Sequence, residues 1–306
     1  MIVEFGILDR HSDWPGCVVC LGTFDGVHLG HQHLLRETVD RARALRLPAV
    51  AVTFDRHPVA ILQPDREPLH LMTLDQKLRA FEPSGLDLVV VLGFSHELAR
   101  MSAQAFWEKL IVGSLGAHQA VIGHDFVFGH ERQGTGEWLA ERMPTVVVPP
   151  LIVDGQRVSS RLIRQAIAEG EVAQAARWLG RDWVMRGAVV TGKQLGRTLG
   201  YPTANVQPSE KSCVPAHGIY GGWCDTPSGR YLAAISIGTR PTVAGEGRTV
   251  EAFLLDYPGT NLYGKVVELG FQYRIRSEER FDSLEALIEQ MEKDVALVRN
   301  GAQKTS

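Results

Sequence analysis

The sequence predicts a chain of two textures: a parallel α/β sheet up to about residue 180, then an antiparallel β-barrel or sandwich closed by a terminal helix. Three observations carry this. Before Trp183, short apolar runs alternate with helical stretches, the signature of parallel strands joined by helical crossovers. After it, strand-like runs follow one another with only Gly and Pro punctuation between them. The last stretch, from about Asp282 to Arg299, again has helical spacing. The domains expected from this change are 1–182 and 183–306.

In the first half the strand-like runs are CVVCLGTF, PAVAVTF, LDLVVVLGF, HQAVIG and TVVVPPLIV. LGHQHLLRETVDRARALRL separates the first two as a helix beginning near Leu29. Ser159 to Leu179 opens on two serines and is read as one helical run stopped by Gly180. In the second half WVMRGAVVTG, GIYGGWCD, RYLAAISIG, TVEAFLLDY and KVVELGFQYRI read as strands. For the terminal helix, Asp282 with Glu285 has capping-box spacing, and Gly301 stands where a helix would end.

Composition narrows the function classes. The 306 residues are 44% hydrophobic and 22% charged, enough apolar content to bury a core. A net charge of −3 leaves no basic footprint for nucleic acid or an anionic membrane, so neither is expected as a partner. No apolar run reaches membrane-spanning length, and MIVEFGILDRHSDW lacks the apolar stretch of a signal peptide. Four cysteines argue against a disulfide scaffold, and a cytoplasmic location is expected. Cys17 and Cys20 form a CxxC, but in a strand they face opposite ways and no second pair completes a zinc site.

Chemistry concentrates in GTFDGVHLGH, residues 22–31. The glycines and Asp25 call for a tight loop after the strand, which puts His28 and His31 on the first turn of the following helix. A helix N-terminus offers unpaired N–H groups and the positive end of its dipole, so it favours an anion over a metal cation. Gly30 leaves the backbone open to close approach. Two imidazole donors there suit charge developing on phosphorus.

In the second half GAVVTGKQ imitates a P-loop, but Gln194 stands where Ser or Thr should bind magnesium and the stretch reads as strand. GRTLGYPTANV is the stronger signal. Pro202 favours extension, so Thr203 and Asn205 share a face and present hard oxygen ligands. Gly196 and Gly200 would let phosphates near the backbone. Glu251 is expected to share its strand face with Phe253 and Leu255, and a carboxylate on an apolar face is suited to accept a proton.

These motifs resemble a known set. GTFDGVHLGH is similar to the HxGH motif of nucleotidylyltransferases, and its Phe24-Asp25-Gly26 resembles that of the bacterial bifunctional riboflavin kinase/FMN adenylyltransferase (FAD synthetase) family. TFDRHP, IGHDFVFGHERQG, VSSRLIR, PTAN, GIYGGW, VEAFLLDY and RSEERF follow in that family's order, so the resemblance runs from about Cys17 to Arg299. It implies a Rossmann-like nucleotidylyltransferase domain and an antiparallel β-barrel riboflavin kinase domain. ATP would be co-substrate, Mg²⁺ the cofactor, and riboflavin, FMN and FAD the other partners.

By the same resemblance His28 and His31 serve adenylyl transfer and Glu251 is the kinase base. Nucleotide and phosphates would meet Gly22, Phe24, Asp25, Gly30, Asp125, Ser159, Ser160 and Arg164 in the first domain. In the second they would meet Gly196, Arg197, Gly200, Thr203 and Asn205, the last two also holding the metal. His57, Pro58, Phe126, Phe128 and Arg276 are the flavin candidates. Arg161 departs from the family, standing where Thr is usual in VSSTxIR. A hydroxyl contact is replaced there by a positive charge, which leaves open a kinase with weak adenylyl transfer. A nucleotidylyltransferase for another acceptor is the further alternative.

Overall fold

The computed structural model describes residues 1–7, 14–192, 201–242, 245–259 and 261–304, with backbone alone at 240–242, 245–247 and 302–304. They form two compact units, 1–68 with 74–159 and 69–73 with 160–306.

The first unit is built on a six-stranded parallel sheet. Its strands are β1 (Ile2–Phe5), β2 (Cys17–Leu21), β3 (Ala49–Phe54), β4 (Leu88–Leu92), β5 (Ala117–Gly123) and β6 (Thr145–Val148), in the order β1-β4-β3-β2-β5-β6. β2 to β4 step one way across the sheet, and β5 and β6 then build on the other side of β2. The direction of winding therefore changes at the β2/β5 pair, and in such sheets ligands bind outside the carboxyl ends of the strands at that point. The central strands are buried on both faces, which is why CVVCL, AVAVT and LVVVL are continuous apolar runs. Cys17, Val19, Leu21, Val50, Val52 and Val90 face a core with Leu110, Ile111 and Leu139. α1 (Leu29–Leu45) supplies Leu34, Leu35, Val39 and Ala42 as its own buried stripe. Cys17 and Cys20 are both buried free thiols in β2.

Two first-unit details differ from expectation. β1 was not foreseen, because it has only four residues and its side chains are mostly exposed at the sheet edge. TVVVPPLIV is not one strand: β6 stops at Val148 before the two prolines. Ile152–Val153 (β7) instead forms a hairpin with Gln156–Arg157 (β8).

The second unit is a closed antiparallel barrel. Its strands are β9 (Trp183–Val190), β10 (Thr203–Pro208), β11 (Gly218–Thr226), β12 (Gly229–Thr242), β13 (Gly245–Leu254) and β14 (Val266–Arg276). They close in the order β10-β13-β12-β11-β14-β9. Alternation sorts the side chains. Val250, Ala252 and Leu254 are buried, whereas Glu251 and Phe253 between them are half-buried on the opposite face. Gly187 to Val190 lie in β9, as the rejection of a P-loop requires, whereas Lys193 and Gln194 lie outside the described residues.

The helical run from Ser159 is split. It forms Ser160–Glu169 and Val172–Leu179, because Gly170 takes a left-handed φ of 85° between them. A Cβ on Gly170 would lie 2.8 Å from the Tyr220 hydroxyl, so the break is also a packing site. Gly180 caps the second helix at φ 71°, as expected. The terminal helix spans Leu284–Lys304 and starts later than expected. Ser283, not Asp282, caps it, its Oγ accepting from Ala286 N at 3.1 Å. Nor does Gly301 end it. That residue lies inside the helix against the Tyr273 ring, where a Cβ would collide.

Candidate active sites on the two units

In the first unit the loop from Gly22 to His28 leaves the carboxyl end of β2, beside those of β3 and β5. Its backbone is strained: Phe24 and Val27 hold φ of 51° and 38°, a region non-glycine residues rarely adopt. Phe24 is buried and meets Phe81 and His31 edge-on, at 5.4 Å and 5.3 Å between ring centroids. Its ring also lies 3.1–3.3 Å from where a Cβ on Gly22 would be.

His28 is the N-cap of α1, its Nδ1 accepting from the His31 backbone N–H at 3.2 Å. An imidazole is not among the usual caps. Because Nδ1 accepts, the proton of the neutral ring belongs on Nε2, so the cap sets the tautomer. His28 is 6% exposed, and its ring stacks on that of His31 at 3.6 Å and 15°. Gly30 makes room for this: a Cβ there would lie 3.2 Å from Cε1 and Nδ1 of His28. The space foreseen for an incoming group is thus partly filled by the protein's own imidazole. Two stacked rings at a helix N-terminus provide adjacent donors for an anion.

The neighbouring loops bring other expected residues to the same end of the sheet. His57 Nδ1 accepts from Val59 N at 3.2 Å, which fixes the turn carrying Pro58. After β5, the Asp125 carboxylate (69% exposed) takes a 2.6 Å bond from Arg157 Nη2. Phe126 stacks on Phe128 at 5.7 Å, but Phe128 is buried in the core cluster, so the half-buried Phe126 is the accessible ring of the two. VSSRLIR straddles the division of the chain. Ser159 ends the first unit, while Ser160 and Arg164 belong to the second, where Arg164 Nε donates to Leu69 O at 2.6 Å. Arg161 is exposed on that helix.

Sequence reasoning passed over Lys77. It lies on the helix Leu74–Phe81 and is 8% exposed, donating to Thr53 Oγ1 at 3.3 Å and Phe54 O at 3.1 Å. Burial lowers its pKa to about 8, against the opposing pull of Asp25 and Asp55. Asp25 is itself only 8% exposed. The signal was present in the sequence: Lys77 falls three residues after Leu74 and four before Phe81, on the apolar stripe of its helix.

The second constellation lies on the barrel wall. Asn205 of β10 is directly opposite Glu251 of β13, and Thr203 is opposite Phe253. All of these side chains share the half-buried face. Thr203 Oγ1 donates to Glu251 Oε2 at 3.1 Å. Tyr201 meets Phe253 edge-on at 5.1 Å and so borders the patch. Gly192, two residues beyond β9, has the Asn205 amide where its Cβ would be. Hydroxyl, amide and carboxylate oxygens thus converge on one surface. Gly196, Arg197 and Gly200 lie outside the described residues.

A cavity of about 530 Å³ opens in the same unit, lined by Ile219, Ser236, Arg276, Glu278, Phe281 and Leu287. Arg276 forms part of its wall, but its guanidinium is held by Asp294, with Nε at 3.0 Å from Oδ1 and Nη2 at 2.8 Å from Oδ2. Asp294 is 4% exposed, so this pair anchors the terminal helix to the barrel.

Fold and site geometry together suit a class: a transferase acting at phosphorus, with one polar constellation on a parallel sheet and another on a barrel. The comparisons make this particular. The FAD synthetase family matches residues 10–162 and the riboflavin kinase family residues 179–301. Bifunctional riboflavin kinase/FMN adenylyltransferases are similar over nearly the whole length. That of Pseudomonas fluorescens is 36% identical, covering 96% of each chain, and that of Escherichia coli K12 is 35% identical, covering 93% of this chain and 92% of its own. The Bacillus subtilis protein is 33% identical over 90% of each. A crystal structure named as a macrolide-efflux protein from Streptococcus pneumoniae superposes with a TM-score of 0.88 at 33% identity, covering 98% of this chain and 99% of that one. Among the described residues of this chain no helix is long and apolar enough to cross a membrane. The chain belongs to the bifunctional riboflavin kinase/FMN adenylyltransferase family.

Proposed function

We propose that this chain makes FMN and then FAD from riboflavin and ATP in the cytoplasm, with the two activities divided at 182/183. The observation that supports this reading is the pairing of constellation and family. The stacked histidines fall within the FAD synthetase match, and Thr203, Asn205 and Glu251 fall within the riboflavin kinase match.

In the kinase step Glu251 accepts the proton of the terminal ribityl hydroxyl as its oxygen attacks the γ-phosphorus of ATP. The bond to the β-phosphate oxygen breaks, ADP leaves and FMN remains. Thr203 holds the carboxylate in place through its hydroxyl. The donor set fits Mg²⁺, since the Thr203 hydroxyl and Asn205 amide oxygens are hard ligands beside a carboxylate. Mg²⁺ bound there with the nucleotide would neutralise charge on the transferring phosphoryl group.

In the adenylyl step an FMN phosphate oxygen attacks the α-phosphorus of ATP and pyrophosphate departs. The nucleophile is already ionised, so catalysis consists of positioning and charge neutralisation. His28 and His31 supply donors at the helix N-terminus. Gly22, Phe24, Asp25, Gly30 and Asp125 shape the nucleotide side, and Ser159 adds a hydroxyl donor for phosphate. His57, Pro58 and Phe126 border the flavin. A second reading, a kinase with feeble adenylyl transfer, draws on Arg161 in place of the usual threonine.

Chromatographic assay of the purified chain with riboflavin and MgATP decides between them. FMN followed by FAD is expected. FMN alone, with none of it converted on long incubation, would favour the second reading, and neither product would overturn both.

A further inference from the structure

From its place beneath the histidine loop, we infer that Lys77 is a positioning residue for adenylyl transfer, bracing the strained segment that presents His28 and His31. The inference rests on the reading of the first unit as the adenylyl-transfer domain. Two routes lead from this helix to the loop, and a third bond ties it to β3. Lys77 Nζ donates to Thr53 Oγ1, and Thr53 Oγ1 in turn donates to Thr23 O at 3.2 Å, inside the loop itself. Nζ also bonds Phe54 O at the end of β3. One helical turn further on, Phe81 meets the Phe24 ring at φ-strained Phe24. A loop with two non-glycine residues at positive φ persists only where its surroundings hold it, and this helix supplies a hydrogen-bonded brace and an aromatic one.

The charge has a second task. Asp25, in the loop after β2, and Asp55, in the loop after β3, both act on Lys77, while Asp75 and Arg79 pair with each other on its own helix. Asp55 is further engaged, its Oδ1 accepting from Phe94 N at 2.9 Å and its Oδ2 from Arg56 Nε. An ammonium between the two loops offsets their carboxylates close to where ATP and FMN bring further negative charge. A lysine whose pKa lies at about 8 loses that charge as pH rises through this value.

The test uses the full chain with two assays on each variant: FAD from supplied FMN, and FMN from riboflavin. Lys77→Met keeps the length of the stem and removes the donors and charge. Its kcat for FAD formation should fall by about 30-fold or more, the scale of a misplaced reacting group, with KM changed little. Kinase activity should stay within about twofold. In the wild type kcat for FAD formation should decline above a pH of about 8, and this decline should be absent from the low, flat profile of Lys77→Met. Thr53→Val, which breaks the link to Thr23 but leaves the charge, should lose several-fold in kcat while keeping the alkaline decline. Lys77→Met at wild-type kcat with an unchanged pH profile would overturn the inference. If Lys77→Met fails to fold, Thr53→Val decides, and wild-type FAD formation by that variant overturns it equally. A wild-type chain that makes no FAD from FMN would instead overturn the functional reading on which the inference stands.

Discussion

The two sites are built in different ways. On the barrel wall, Thr203, Asn205 and Glu251 are set by strand geometry: the i, i+2 rule puts the first two on one face, and the β10–β13 register puts Glu251 opposite Asn205. In the first unit the stacked histidines stand at the end of a loop with positive φ at Phe24 and Val27, supported by a neighbouring helix. A ladder positions side chains through its own backbone bonds, whereas a loop needs outside support. Substitutions at the barrel site should therefore act through chemistry alone. Substitutions around the histidines should also act through geometry.

The largest effect is expected at Glu251→Gln, which keeps shape and hydrogen-bonding capacity and removes the base. Riboflavin phosphorylation should fall by about 10²–10⁴-fold, with riboflavin binding retained. Kinase activity within a few-fold of wild type would mean that another group accepts the proton. His31→Ala comes next, with a loss of about 10²–10³-fold in FAD formation for one lost charge-stabilising donor. A loss of kinase activity as large as that, in a folded protein by circular dichroism, would contradict the separation of the sites.

Gly30→Ala probes geometry rather than chemistry. Its methyl group would press on the His28 ring at 3.2 Å and disturb the cap, so FAD formation should fall by roughly tenfold. An unchanged rate in steady-state assays would show that the imidazole stack is not required. The smallest effect is expected at Arg161→Thr. The side chain is exposed, so adenylyl transfer should stay within about threefold of wild type, as a surface change of about 0.5 kcal/mol allows. A rise beyond this would mark the arginine as a defect, and a severe fall would make it a main phosphate ligand.

The same contrast explains what was legible in the sequence. Buried parallel strands are continuous apolar runs and barrel strands alternate, so both folds were readable from pattern. That Thr203 and Asn205 share a face was readable because strand periodicity is strict, whereas the register that sets Glu251 opposite Asn205 joins strands distant in sequence and was not. The helix start at Leu29 was also readable, since a Gly-rich loop and a helical stripe bracket it. That His28 itself caps the helix was not, because the cap depends on a ring orientation no spacing reveals. Lys77 was passed over because only packing shows which charge on an amphipathic helix is turned inward. The split at Gly170 and the continuation through Gly301 were missed because Tyr220 and Tyr273, both distant in sequence, decide what those glycines do.

The central claim is that one chain carries two separate phosphorus-transfer sites. The most direct test is a crossed assay of His31→Ala and Glu251→Gln, each given riboflavin with MgATP in one reaction and FMN with MgATP in another, with flavins resolved by chromatography. His31→Ala should accumulate FMN and form little FAD in either reaction. Glu251→Gln should leave riboflavin largely unconverted yet turn supplied FMN into FAD at close to the wild-type rate. If either folded variant instead loses both activities in equal measure, the two sites are not separate and the account is contradicted.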